Sequence, residues 1–174
     1  MNRVKVTSFA ALMGALAIVL SVPPLAIPIS FGAFESSVHF FQLAVFLSGI
    51  LAGPVAGMIS GAVGGIYMGV TRIPFVIGGI AILGGAAGLF AKRVRPLFAG
   101  LLAWAVQAPY VVVTDYAWFT LLLPSPLPPA AAWSIITGIM IKLVMEAVVC
   151  SILAEMLVPV IKRADVSIIQ SPEK

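Results

Sequence analysis

LSGILAGPVAG, residues 47–57, lies in the middle of an apolar block that runs from His39 to Arg72. Pro54 has no backbone N–H to donate, and a proline disfavours helical backbone in the residue before it, here Gly53. We therefore predict that the block breaks into two short helices joined by a tight turn at Gly53-Pro54. With this break the number of helices is even, so both termini are expected on the same side of a membrane.

The composition indicates a membrane protein. Of the 174 residues, 61% are hydrophobic and only 9% are charged, and the mean hydropathy is +1.17. These values lie far outside the range of soluble domains. At roughly 20 to 25 residues for each spanning helix, about six helices fit into this length, and little remains for a domain outside the membrane.

Positive charge falls at alternate ends of the predicted helices. Eight of the ten Lys and Arg residues lie in three places: before the first apolar segment (Arg3, Lys5), in the middle (Lys92, Arg93, Arg95) and after the last segment (Lys162, Arg163, Lys174). With six spans, all three clusters fall on one face, which the positive-inside bias makes the cytoplasm. The net charge of +4 is therefore interpreted as a topology signal rather than as a nucleic-acid-binding surface.

We predict an all-α membrane protein in which residues 1–174 form a single six-helix transmembrane domain with both termini in the cytoplasm. Pro109 is expected to kink the fifth helix, because proline removes a helical hydrogen bond. The first outer loop is expected to run from Leu25 to about Val38. The predicted helices cover about 6–22, 39–52, 55–70, 74–91, 96–123 and 131–161, and residues 164–174 form a polar C-terminal tail.

Small residues recur at helical spacing in three of the predicted helices. Gly57, Gly61, Gly65 and Gly69 repeat on the third helix, and the fourth carries Gly84 and Gly88 in the same way. Such ridges let two helix backbones approach closely in a membrane, so we expect them to pack this bundle together. A further pair of small residues, Ala11 and Ala15 on the first helix, is a candidate surface for docking another membrane subunit.

Ionisable side chains within the apolar segments are the first candidates for function, because charge in hydrocarbon needs a partner or water. Lys142 and Glu146 lie one turn apart on the sixth helix, and Asp115 lies in the outer half of the fifth. An ion pair that only holds the bundle together is the alternative interpretation of Lys142 and Glu146. We favour a polar cavity, since such a pair is a poor source of stability. Glu155, near the inner end of the sixth helix, is expected to be solvated or to reach toward Lys162.

Other polar and aromatic residues are expected at the same outer level. Glu35, His39 and Arg72 are placed at the outer surface or in outer loops, and four aromatic residues join them: Tyr110, Tyr116, Trp118 and Trp133. For the two tryptophans, an interfacial aromatic belt is an equally good interpretation. Apolar and aromatic walls with a few convergent polar groups are typical of a ligand pocket. The set predicts a site that opens outward and holds a small, flat, polar ligand.

Catalysis has little support in the sequence. The chain has one His and one Cys, and it carries no metalloprotease, nucleophile-elbow or phosphate-binding-loop motif. We therefore expect no enzyme activity, no cofactor and no metal site. A chain without a nucleotide-binding motif is not expected to drive ATP-dependent transport by itself.

The chain resembles the substrate-binding S components of energy-coupling factor (ECF) transporters, which import vitamins and their precursors in bacteria and archaea. The resemblance covers essentially the whole chain and depends on the six short helices with both termini inside, together with three stretches. These are Ala11–Ala15 (ALMGA), Leu47–Gly57, and Ile141-Lys142 followed by Glu146.

The resemblance implies a division of labour in a prokaryotic cell membrane. The S component captures its substrate from outside, and a transmembrane coupling subunit with two cytoplasmic ATPases drives release inside. It also implies that Ala11 and Ala15 pack on the coupling subunit, and that the first outer loop acts as a lid with Glu35 and His39 near its hinge. The implied pocket lies in the outer half and is formed by helices 4 to 6 and the outer loops; it matches Arg72, Asp115, Tyr116, Trp118, Trp133, Lys142 and Glu146.

The sequence leaves the identity of the ligand undecided. The stretch from Val38-His39 to Pro74-Phe75 is similar to S components assigned to thiamine or its thiazole precursor, but riboflavin, pantothenate, folate, biotin and queuosine precursors remain alternatives. Two other functions are also considered. One is a self-sufficient proton- or ion-coupled carrier that uses Asp115 and Glu146 as protonation sites. The other is a non-transporting assembly subunit whose charges pair with a partner's helices.

Overall fold

The Gly53-Pro54 pair ends one helix and begins the next in the computed structural model, which describes residues 3–31 and 34–163. The N–H of Gly53 donates to the carbonyl oxygen of Gly49 at 2.9 Å, which closes the last turn of the preceding helix. Gly53 then adopts a φ of 94°, a conformation that favours glycine, and Pro54 takes the first position of the next helix. The predicted break is confirmed.

The predicted all-α class is also confirmed, since the described residues form six α-helices. The helix α5 continues into one π-helical segment, Trp118–Leu122. The predicted tail at 164–174 lies outside the described residues. The helices are α1 (Arg3–Val19), α2 (Phe41–Ala52), α3 (Pro54–Thr71), α4 (Val76–Phe90), α5 (Pro96–Ala117) and α6 (Pro129–Arg163).

Within residues 3–31 and 34–163, three segments are long and apolar enough to cross a membrane by length and composition: Pro54–Thr71, Pro96–Leu122 and Pro129–Arg163. The helices α2 and α4 are apolar but shorter, at 12 and 15 residues. A rise of 1.5 Å per residue makes them about 18 and 22 Å long, less than a hydrocarbon core of about 30 Å. The chain is a membrane protein, and the number of six crossings stays a prediction.

The segment between α1 and α2 is not the loop that we predicted. Residues Ile27–Phe31 (β1) and Phe34–Val38 (β2) pair as an antiparallel hairpin, in which Ile27 lies opposite Val38 and Ser30 opposite Glu35. Strand pairing satisfies backbone N–H and C=O groups that an irregular loop would leave to water or side chains. The hairpin ends directly before His39, which therefore precedes α2 rather than opening it.

Glycines join α3 to α4, as the four-residue spacing predicts. A Cβ atom added to Gly57 would lie 2.1 Å from the carbonyl oxygen of Gly84, and one added to Gly61 would lie 2.2 Å from that of Ile80. No side chain fits between the two helices at these points. The expectation that this ridge packs the bundle is confirmed, because only hydrogen at these positions allows such close approach of the backbones.

The apolar core has two parts. One cluster, which we call the lower core, includes Phe46, Leu83 and Ala154 and extends to Val158, near the helix ends that carry the basic residues. The other, the upper core, includes Phe41, Met68 and Ile80. Because all three of these upper-core side chains also line a cavity, the upper core forms its apolar floor.

Glu155 connects α6 to the start of α5. Its Oε2 accepts a hydrogen bond of 2.9 Å from the backbone N–H of Leu97, the second residue of α5. The first N–H groups of a helix have no partner within the helix, and a carboxylate there is favoured by the helix dipole. The sequence suggested a solvated Glu155 or one that reaches toward Lys162, and it did not predict this bond; the side chain is half-buried.

A candidate ligand-binding cavity

A cavity of about 310 Å³ lies among the helix ends opposite the basic clusters. This volume is at the lower end of the range for sites that hold small molecules. Its walls come from the end of α3, the start of α4, the end of α5 with its π-helical segment, and the first half of α6. The lining residues are Phe41, Met68, Arg72, Ile73, Phe75, Val76, Gly79, Ile80, Gln107, Tyr110, Val111, Thr114, Asp115, Trp118, Phe119, Ile135, Ile139, Lys142 and Leu143.

Five of the ten residues predicted to bind a ligand line this cavity: Arg72, Tyr110, Asp115, Trp118 and Lys142. They come from α5, α6 and the end of α3, and the fold brings them together although up to 70 positions separate them in the sequence. The cavity thus combines two cations and one anion with aromatic rings on mainly apolar walls. Whether these residues bind a ligand stays a prediction.

Glu146 lies behind the lining and is fully buried, with an exposed fraction of 1%. Its Oε1 accepts a hydrogen bond of 2.7 Å from the backbone N–H of His39 and lies 3.4 Å from the Nζ of Lys142. Its Oε2 accepts a hydrogen bond of 3.3 Å from the Nε2 of Gln42. One carboxylate therefore connects α6 to the start of α2 and to the end of the hairpin, and it offsets the charge of Lys142 at the cavity wall.

His39 is likewise buried behind the wall. Its Nδ1 lies 3.4 Å from Oε1 of Glu146, but this contact lacks hydrogen-bond geometry. Its ring packs edge-on against the ring of Phe41, with the centroids 6.4 Å apart. His39 and Glu146 are therefore in position to support Lys142 and the cavity floor rather than to line the cavity themselves.

Asp115 and Gln107 give the α5 wall two acceptor groups. Asp115 is 3% exposed, and no side-chain hydrogen bond or ion pair joins it to another residue within 3–31 and 34–163. Gln107 is also 3% exposed, and its side-chain oxygen has no hydrogen-bond partner among the described residues. Buried polar atoms are rarely left without partners, so this oxygen is unexplained within the protein, as is the unpaired carboxylate of Asp115.

Aromatic rings form part of the lining. The rings of Phe75 and Trp118 meet edge to face, with their centroids 6.3 Å apart. The hydroxyl of Tyr110 donates a hydrogen bond of 3.2 Å to the carbonyl oxygen of Phe75. This bond ties α5 to the start of α4 and fixes the Tyr110 ring against the cavity.

Tyr116 and Trp133 are not among the described lining residues. Their rings pack on each other with centroids 5.2 Å apart, and Trp133 is 48% exposed. On α5 the lining residues include Val111, Thr114 and Asp115, and at about 100° per residue Tyr116 lies beyond the face that they mark. Glu35 belongs to β2, opposite Ser30, and its predicted binding role stays a prediction.

Several lining residues were not predicted from the sequence, and Gln107 and Thr114 are the most informative of them. Gln107 is a polar residue inside an apolar span, and the argument that singled out Asp115 applies to it as well. Gln42, which contacts Glu146, is likewise a polar residue inside an apolar span that was not predicted. The apolar lining residues, such as Phe119 and Ile139, have no signal in the sequence that separates them from lipid-facing positions.

Comparison with known proteins identifies a solved structure with a similar fold. The sequence matches no family model, and it matches no curated protein. In structure, the chain is similar to the S component of a bacterial ECF transporter, with a TM-score of 0.63 and 20% sequence identity. The match covers 94% of this chain and 98% of that one. The chain therefore has the S-component fold, which confirms the predicted resemblance at the level of the fold.

Proposed function

We propose that this protein is the substrate-binding S component of an ECF-type importer and that it captures a water-soluble vitamin or vitamin precursor in the cavity. The observation that carries the proposal is the cavity itself, at the end of the bundle opposite the basic clusters, in a chain with the S-component fold. Its volume suits a ligand of one or two rings, and its lining combines aromatic faces with Arg72, Asp115 and Lys142. A thiamine-related compound is the candidate that the sequence favours.

The position of the cavity supports capture from outside. Arg3, the Lys92–Arg95 segment and Lys162-Arg163 lie at the helix ends that the positive-inside bias assigns to the cytoplasm. The lining residues lie at the opposite ends of the helices, where α3 ends, α4 begins and α5 ends. A ligand from the periplasm or the medium therefore reaches the cavity without crossing the lower core.

Release of the ligand inside the cell requires energy that this chain does not supply. We propose that a transmembrane coupling subunit and two cytoplasmic ATPases supply it. The surface of α1 supports such an assembly, because Ala11 and Ala15 are exposed while Ala10, Gly14 and Ala17 on the other face pack within the bundle. We propose the exposed face as the docking surface.

The proposal is tested by purifying the full chain in detergent without ATP and identifying the small molecules that it retains by mass spectrometry. We expect one retained compound, which binds again to the emptied protein in isothermal titration calorimetry. Replacing Lys142 by Ala should weaken this binding at least about tenfold, since a hydrogen bond to a charged group is lost. The matched control is Ile141→Ala, which changes the neighbouring side chain, 50% exposed on the outside of the bundle, and should bind normally.

The alternative is a self-sufficient ion-coupled carrier, and the unpaired, buried Asp115 is the observation that favours it. Reconstituted vesicles that contain only this chain distinguish the two functions. Uptake by the chain alone that stops when the proton gradient is collapsed would select the carrier. Binding without uptake, followed by uptake when the coupling subunit, ATPases and ATP are added, would select the S component.

A further inference from the structure

Two of the three charged side chains that line the cavity have no ion-pair partner within the part of the chain that the structure describes. Lys142 has a partner, because its Nζ lies 3.4 Å from Oε1 of Glu146. Arg72 and Asp115 line the same cavity, and the side chain of neither is hydrogen-bonded or ion-paired within the part of the chain that the structure describes. Apart from the Lys142–Glu146 pair, the described lining therefore holds two charges without an ion-pair partner: the exposed cation Arg72 and the buried anion Asp115.

The two unpaired charges belong to different walls. Arg72 follows directly after α3, whereas Asp115 lies near the end of α5, and α4 packs on both helices. Asp115 is 3% exposed, and an ionised carboxylate buried without a cation is costly. A bound ligand that brings a cation to this wall removes that cost.

The surroundings of Asp115 suit a cation on a flat ring. Trp118 lies three residues further on the same face of the helix and also lines the cavity, with Phe75 packed edge-on against it. Aromatic faces attract cations, most strongly when the cation is removed from water. Gln107 lines the same wall, and its side-chain amide adds a polar group there.

We infer that the cavity selects a compact zwitterion, in which a cationic nitrogen ring faces Asp115, Gln107 and Trp118 and an anionic group faces Arg72. The inference rests on the proposed function and narrows its substrate class. A neutral ligand leaves both charges of the protein unpaired, and a ligand with one charge leaves one of them unpaired. Only a ligand with both charges gives Arg72 and Asp115 a partner each and leaves the net charge of the site unchanged.

Four pyridine derivatives of nearly equal size test the inference. Nicotinamide is neutral, nicotinate is an anion, 1-methylnicotinamide is a cation and 1-methylnicotinate is a zwitterion. Each is titrated calorimetrically into the purified, extensively dialysed full chain. We expect 1-methylnicotinate to bind at least about tenfold more tightly than the other three, because it alone gains a charged contact on both walls.

Two substitutions then assign each charge to its wall. In Arg72→Gln, the zwitterion should bind no better than 1-methylnicotinamide, since the contact with the carboxylate is lost. In Asp115→Asn, 1-methylnicotinate should bind no better than nicotinate. Val113→Ala, which changes an exposed side chain two residues from Asp115, is the control and should keep the preference for the zwitterion.

The unmodified chain alone decides the inference, even if a variant does not fold. Binding of nicotinamide or of either singly charged probe within twofold of the zwitterion overturns it, and so does the absence of binding by 1-methylnicotinate at millimolar concentration. The proposed function is judged separately by the compound that the protein retains through purification. A retained neutral or singly charged compound would support that function and still refute the preference for a zwitterion.

Discussion

Glu146 carries more structural connections than any other ionisable group of the described residues. Its two oxygens contact the backbone N–H of His39, the amide of Gln42 and the ammonium group of Lys142. His39 directly follows β2, so the carboxylate also fixes the end of the hairpin. Through Lys142 the same group reaches the cavity wall. A change at Glu146 is therefore expected to affect stability and ligand binding together.

We predict that Glu146→Ala lowers the free energy of unfolding by about 3–5 kcal/mol, because it leaves the charge of Lys142 buried without compensation. The double variant Lys142→Met/Glu146→Gln should lose less stability than Lys142→Met and Glu146→Gln lose in total when each is made alone. Each single change leaves one buried charge unpaired, whereas the double change removes both charges. Unfolding in detergent, followed by tryptophan fluorescence, measures both effects. Met145→Ala, an exposed neighbour, is the control. Additive costs would contradict an energetic coupling between Lys142 and Glu146.

At the scale of single residues, the sequence identifies ionisable groups better than aromatic ones. The cost of charge in hydrocarbon singles out Asp115, Lys142 and Glu146, and all three are buried at or beside the cavity. The same argument does not give the rotational position of an aromatic ring on its helix. Trp118 lines the cavity and Tyr116 does not, although both lie near the same depth.

The contact between α3 and α4 determines one wall of the cavity, since α4 supplies Val76, Gly79 and Ile80 to the lining. Two glycines of the chain respond differently to an added methyl group. At Gly57, the new atom would lie 2.1 Å from a carbonyl oxygen of the facing backbone. At Gly79, its nearest neighbours would be side-chain atoms of Gln107 and Tyr110 at 3.4 Å, an ordinary van der Waals distance.

We predict that Gly57→Ala destabilises the bundle by about 1–3 kcal/mol, because α3 and α4 must move apart to admit the methyl group. Gly79→Ala should keep the stability of the native protein and weaken ligand binding, since its methyl group occupies part of the cavity. Thermal unfolding and calorimetric titration of both variants make the comparison. Equal stability of Gly57→Ala and the native chain would show that the two helices are not packed as closely as described.

At the scale of helices and strands, composition predicts where a helix ends better than it predicts which strands or side chains pair. Gly53-Pro54 ends α2 because of properties that each residue has in any protein. The hairpin at Ile27–Val38 was missed because its strands are only five residues long and its composition is typical of a loop. The bond between Glu155 and Leu97 joins residues 58 positions apart, and no local pattern predicts such a contact.

The membrane orientation follows from the whole chain rather than from any single helix. We predict that Lys92→Cys reacts with a membrane-impermeant maleimide only after the cells are permeabilised, whereas Ser125→Cys reacts in intact cells. Both positions are exposed, between α4 and α5 and between α5 and α6 respectively. The native chain is the control, because its one cysteine, Cys150, is buried. Labelling of Lys92→Cys from outside would reverse the orientation and place the cavity in the cytoplasmic half.

The two faces of α1 differ in burial, and we predict that they have different roles. Gly14 packs so closely on α3 that an added Cβ atom would lie 2.7 Å from that of Val63, whereas Ala15 is exposed beside Leu16. We predict that Ala15→Trp retains ligand binding and abolishes co-purification with the co-expressed coupling subunit, because a large ring prevents close packing of the two helices. Leu102→Trp, on the exposed surface of α5, should retain both properties. A complex that tolerates Ala15→Trp as well as Leu102→Trp would exclude this face of α1 as the docking surface.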